Sequence, residues 1–233
     1  MPDAPATKIG ASLRLQHLRE ISPLSETQRH FIAHYTKQTE ALIVEGPPGT
    51  GKTFLALYQA LEEVLTNKHA RRIVLVRSVV PSRSMGFLPG TEEDKMRVYT
   101  TPYRDMCAKV FPHPEAYDQL AAQGTIEFMS TSYLRGCTWD DAIVIVDECQ
   151  NMSGMELHTV MTRLGQRSRI LFCGDSGQND LTHGADRSGW PAFRAILASV
   201  PSVVCVTYQT DEIVRSPLVK AYLLARAGIV PTK

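Results

Sequence analysis

Residues 46–53 read Gly-Pro-Pro-Gly-Thr-Gly-Lys-Thr. This run combines small residues, a lysine and a hydroxyl at the spacing G-x-x-x-x-G-K-T, and it sits between a short apolar run and a helical pattern. That chemistry suits phosphate. Small residues let the backbone curl round an anion with its N–H groups turned inward, and the following helix adds the positive end of its dipole. Gly46, Pro47, Pro48, Gly49, Thr50, Gly51, Lys52 and Thr53 are therefore expected to cradle a nucleoside triphosphate. Lys52 is expected on the β- and γ-phosphates, and the Thr53 hydroxyl on Mg²⁺.

A second chemical signal closes the most apolar run of the chain, Ala142 to Val146, with Asp147 and Glu148. At the carboxyl end of a strand, Asp147 is placed to hold Mg²⁺ and is expected to contact the nucleotide complex. Glu148 points elsewhere and is expected to polarise the attacking water as general base. A third apolar run, Arg169 to Cys173, enters Gly174-Asp175-Ser176-Gly177-Gln178-Asn179-Asp180. The Gln178 amide both donates and accepts, which suits a bridge between γ-phosphate or water and a moving element. Asp175 and Asp180 read as capping residues.

Positioning these groups requires strands that end at one edge. The runs at 41–45, 72–76, 126–129, 142–146, 169–173 and 202–206 are short and do not alternate, as suits strands covered on both faces. Helical patterns at 53–65, 101–111, 155–164, 190–199 and 211–227 separate most of them. The expected fold is α/β, a mostly parallel sheet flanked by helices. Ser25 and Gln28 read as a capping box opening an earlier helix. Residues 1–20 read as a flexible N-terminal arm, and 21–233 as one domain with an insertion at about 78–118.

Composition narrows the classes. Lys and Arg number 25 against 24 Asp and Glu, a net charge of +1, so bulk electrostatics give no argument for nucleic acid, and any basic surface is local. No apolar run reaches the length of a membrane span, and the first 25 residues lack a signal-peptide core. The five cysteines are odd in number and never CxxC, so they read as buried free thiols of a cytoplasmic protein.

Together these motifs resemble the PhoH-like family, P-loop ATPases related to the motor core of superfamily 1 helicases. The resemblance extends to Met85-Gly86-Phe87-Leu88-Pro89-Gly90 with Lys95, to Tyr133-Leu134-Arg135-Gly136-Cys137-Thr138, to Asp147-Glu148-Cys149-Gln150-Asn151 and to Gly174-Asp175-x-x-Gln178-x-Asp180-Leu181. It ends in Asp211-Glu212-Ile213-Val214-Arg215-Ser216-Pro217-Leu218-Val219, and covers about residues 24–227. Departures fall at Val76-Arg77-Ser78, where the family has Thr-Arg-Pro, and at Cys137 and Ser216, where it has Arg and His.

The resemblance implies a single RecA-like domain that hydrolyses ATP with Mg²⁺ and acts on RNA or single-stranded DNA. It implies that Gln28 reads the adenine edge. The two-domain motors take a catalytic arginine from their second domain, and 233 residues leave no room for one. A neighbouring subunit in a ring, such as a hexamer, is then the expected source. Arg215 is the first candidate for this finger in trans, Arg135 the next, and Arg163 and Arg169 weaker ones. Arg77, Arg83, Lys95 and Arg135, with Arg97, Arg104, Phe87, Tyr99 and Tyr103 nearby, are the expected nucleic-acid contacts. Two alternatives remain: a nucleotide-gated regulatory module and a P-loop kinase for a small molecule. The adjacent Asp147 and Glu148 disfavour the kinase, whose nucleophile is the substrate and not water.

Overall fold

Each of the six apolar runs forms a strand in the computed structural model: β1 (Ala41–Glu45), β2 (Arg72–Arg77), β3 (Ile126–Ser130), β4 (Ala142–Asp147), β5 (Arg169–Gly174) and β6 (Val203–Thr207). The structure describes residues 13–78, 92–134, 136–175, 177 and 188–229. The strands form one sheet in the order β3-β2-β4-β5-β1-β6. Every pairing is parallel, so the carboxyl ends of all six strands share one edge.

Burial on both faces explains the lack of alternation in sequence. Leu42, Val44, Ile73, Leu75, Ile143, Ile145 and Leu171 face one core. Ala41, Ile43, Val74, Val76, Val144, Val146, Ile170 and Phe172 face the other. Both sets must be apolar, because neither face meets water.

Helices α1 (Glu26–Thr36), α2 (Lys52–Leu65), α3 (Glu92–Val110) and α4 (Ala116–Ala122) give their buried residues to the first core. Helices α5 (Gly154–Met161) and α6 (Trp190–Ala198) close the second. Phe172 is fully buried there, with Phe193 edge-on at 5.2 Å and Trp190 at 6.1 Å. The last helix, α7 (Pro217–Arg226), buries no residue.

Several sequence expectations need correction. The pattern at 101–111 is the second half of a 19-residue helix, α3, which continues through Pro102. The described part of the 78–118 insertion, from residue 92 on, is thus largely helical, and α4 begins within it. The pattern at 211–227 is not one helix. A 3-10 turn at Thr210–Glu212 is followed by α7, with Pro217 at its first position, where a missing N–H does no harm. Part of the N-terminal arm packs on the domain: Leu13 is buried, and the Arg19 N–H donates to the Val110 carbonyl at 2.8 Å. All five cysteines are free, but only Cys107, Cys149 and Cys173 are buried, while Cys205 is exposed. Among the described residues no helix is long and apolar enough to cross a membrane.

Candidate active site

The P-loop joins β1 to α2 at the sheet's carboxyl edge, where ligands bind in open α/β sheets. Gly46 leaves β1 with φ +143°, and a Cβ there would lie 2.6 Å from the Tyr208 Cβ, so no side chain fits. The Lys52 ammonium donates to the carbonyls of Gly46 and Pro47 at 2.5 and 2.7 Å. Burial pulls its pKa down, and the carboxylates of Asp175, Glu148 and Asp147 oppose that shift. Thr50 turns inward and donates to the Pro47 carbonyl at 3.0 Å.

The two carboxylates end β4 beside this loop. Thr53 Oγ1 donates to Asp147 Oδ1 at 2.7 Å. The Tyr103 phenol, from α3, donates to Oδ2 at 2.8 Å. Glu148 takes a left-handed backbone, φ +50° and ψ +41°. Burial first, and the neighbouring Asp147 second, raise its pKa above the ordinary glutamate value. The Gln150 amide donates to Glu148 Oε2 at 2.6 Å, and its oxygen accepts the Asp175 N–H at 3.0 Å. Gln150 is 2% exposed, and it ties the Glu148 carboxylate to the loop after β5.

A cleft of about 640 Å³ brings together Pro48, Gly49, Gly51, Lys52, Thr53, Gln28, Asp147, Glu148, Asp175, Arg77 and Arg215. Ile21, Leu24, Phe54, Met106 and Val214 give it apolar walls. Thr53 and Asp147 offer hydroxyl and carboxylate oxygens, hard donors that suit Mg²⁺ completed by nucleotide phosphates.

Gln28 departs from the capping box read in sequence. Its N–H does donate to the Ser25 hydroxyl, but its side-chain oxygen accepts from the Leu24 N–H at 2.7 Å. Its amide nitrogen donates to the Thr50 carbonyl at 3.1 Å, which clamps α1 to the P-loop. Arg215 lies over the P-loop of its own chain. A Cβ at Gly49, φ +82°, would meet Arg215 Cγ at 2.7 Å and Nε at 2.8 Å. The Val214 N–H donates to the Gly49 carbonyl at 2.8 Å, fixing that approach.

Other expected contacts move elsewhere. Arg77 lines the cleft beside the carboxylates. Tyr103 is fully buried, so it offers no face on which a base can stack. Arg104 pairs with Asp118. Arg169 is committed inside, paired with Glu63 and set over the Tyr35 ring at 3.7 Å, so it cannot reach outward as a finger. Arg83, Arg135 and Gln178 lie outside the described residues, as does the side chain of Lys95.

Three contributors were missed in sequence. Tyr103 reads there as an aromatic of the insertion, and its partner is 44 residues away. Gln150 was visible within the motif after Glu148, yet its bridging role was not. Glu156, signalled by Ser-x-x-Glu at 153–156, accepts from Ser78 and Thr131 at 2.8 and 2.6 Å and joins the ends of β2 and β3 to α5.

The model of the PhoH-like protein family matches residues 20–226. This chain belongs to the PhoH-like family. A PhoH-like protein of Bacillus subtilis is 35% identical over 193 residues, covering 82% of this chain and 59% of that protein. One of Mycobacterium leprae is 33% identical over 226 residues, covering 97% and 64%. The chain thus spans about three fifths of the curated PhoH-like relatives it matches. Among solved structures it is similar to the Pif1 helicase of Candida albicans (TM-score 0.42, 14% identity, 91% of this chain and 45% of that one). It is also similar to the Sulfolobus solfataricus SWI2/SNF2 ATPase core (TM-score 0.45, 13% identity, 84% and 46%). The PhoH-like domain described here is an α/β fold, an all-parallel six-stranded sheet flanked by helices with the P-loop at its carboxyl edge.

Proposed function

We propose that this domain is an Mg²⁺-dependent ATP hydrolase whose turnover is coupled to RNA or single-stranded DNA. The observation that carries this reading is the convergence, in one cleft, of the P-loop, the Thr53–Asp147 pair and a Glu148 with a raised pKa. Lys52 releases the carbonyls of Gly46 and Pro47 and turns to the β- and γ-phosphates. Thr53 and Asp147 would hold Mg²⁺, which would supply positive charge against the phosphates. Glu148 accepts a proton from water as the oxygen attacks the γ-phosphorus and the bond to the β-phosphate oxygen breaks. Gln150 occupies Glu148 Oε2 and leaves Oε1 to the water. The adenine end is assigned to the walls near Leu24 and Gln28, and Gln178 to the γ-phosphate.

Arg215 is assigned to the nucleotide of its own subunit, and its contact with Gly49 supports that role over action in trans. Self-assembly, in a ring such as a hexamer, remains part of the proposal. The uncovered face of α7, with Leu218 80% and Tyr222 63% exposed, supports it. Arg83, Lys95 and Arg135 are assigned to the polynucleotide, and the protein to the cytoplasm. The test is ATP turnover with and without single-stranded RNA and DNA. Stimulation by either supports the coupling, and a rate that no polynucleotide changes contradicts it.

A further inference from the structure

Asp147 has two carboxylate oxygens, and the P-loop side uses one of them. Thr53 donates to Oδ1, while the Tyr103 phenol donates to Oδ2 at 2.8 Å. Tyr103 is fully enclosed and Asp147 is 5% exposed, so water does not compete for this bond. The ring packs near Phe128, at 5.9 Å between centroids. A phenylalanine would fill the same space, so the hydroxyl is what the aspartate contact requires.

Tyr103 does not come from the sheet. It lies in α3, next to Pro102, where the helix lacks one backbone donor. Pro102, Met106 and Lys109 of α3 line the cleft. Tyr103, Cys107 and Val110, each one position along, pack into the core. A single helix therefore walls the nucleotide cleft and holds the carboxylate at its centre.

The geometry points to Tyr103 as the positioning residue of the metal-binding aspartate, with its phenol fixing the Asp147 rotamer so that Oδ1 stays beside Thr53 and α3 is tied to the metal site. This rests on the reading that the cleft takes a metal–nucleotide complex. The terminal torsion of an aspartate is broad. Without the phenol, Asp147 presents Oδ1 to the metal for only part of the time, and metal binding must order it. Nucleotide bound without metal depends on the P-loop and is indifferent to this bond.

The experiment compares the unmodified chain with Tyr103→Phe. Mn²⁺ binding is followed by electron paramagnetic resonance with a non-hydrolysable ATP analogue present, and metal-free binding of a fluorescent analogue is measured in a chelator. In the variant, Mn²⁺ affinity is expected to fall about 10- to 100-fold, as when a hydrogen-bond partner of a metal ligand is removed. Metal-free nucleotide affinity should hold. The Mg²⁺ concentration for half-maximal turnover should rise by a similar factor, while the rate at saturating Mg²⁺ recovers to within about threefold. Unchanged Mn²⁺ affinity, or a lost rate that saturating metal does not restore, overturns the assignment. If the unmodified chain binds neither analogue nor Mn²⁺, the nucleotide reading itself fails. Should Tyr103→Phe not fold, hydrogen exchange in the unmodified chain decides. Amides of 96–110 should exchange several-fold more slowly with analogue plus Mn²⁺ than with analogue alone, and equal exchange overturns the link to α3.

Discussion

A left-handed backbone at a non-glycine residue is costly, of the order of 1–2 kcal/mol, and Glu148 adopts one at φ +50°. The residue combines that strain with burial and an adjacent like charge, which raise its pKa. A carboxylate so placed is a better proton acceptor near neutral pH than an exposed glutamate. Arg215 makes a separate prediction at this scale. Arg215→Ala should lower turnover steeply, by up to about 10³–10⁵ if it stabilises the transition state. Mixed with Lys52→Ala subunits under conditions of proven co-assembly, it should recover no activity, because each site needs its own Arg215. Recovered turnover in the mixture would return the residue to a neighbour's site.

Elements place these residues, and α5 shows how. Ser153 caps it, and Glu156 accepts from Thr131, the Ser153 backbone and Ser78. Burial alone would raise the Glu156 pKa, but these hydrogen bonds outweigh it and hold the carboxyl below its ordinary value of 4.5. A carboxyl lowered in the folded state contributes stability above its unfolded pKa and loses it as pH falls through the folded one. The melting temperature should therefore drop on acidification below about pH 4.5, and Glu156→Gln should flatten that part of the profile. An unchanged acid limb would remove Glu156 as the tie between β2, β3 and α5. The strands and the P-loop were legible in sequence because burial on both faces leaves unbroken apolar runs that end in polar motifs. The first half of α3 was not, because Glu92–Tyr99 holds few apolar residues and Pro102 reads as a helix breaker, yet the helix runs through it. The Tyr103–Asp147 bond and the cis approach of Arg215 to Gly49 were not legible either, since both join segments far apart in the chain.

Across the whole molecule, one sheet edge collects the chemistry and the opposite charges nearly cancel. Nucleic-acid binding, where it occurs, therefore rests on local cations and should weaken with salt by only a few phosphate contacts. The α7 face bears on assembly: Leu218→Asp should weaken self-association in sedimentation, and an unmodified chain that stays monomeric at tens of micromolar would contradict the proposed oligomer. On the proposed reading, one cleft binds ATP through the P-loop and cleaves it through Glu148. Single-turnover hydrolysis and nucleotide affinity, measured side by side on the unmodified chain and Glu148→Gln, test it most directly. Affinity should stay within about twofold, with cleavage slowed by about 10²-fold or more. Equal cleavage rates, or affinity lost together with cleavage, would contradict it.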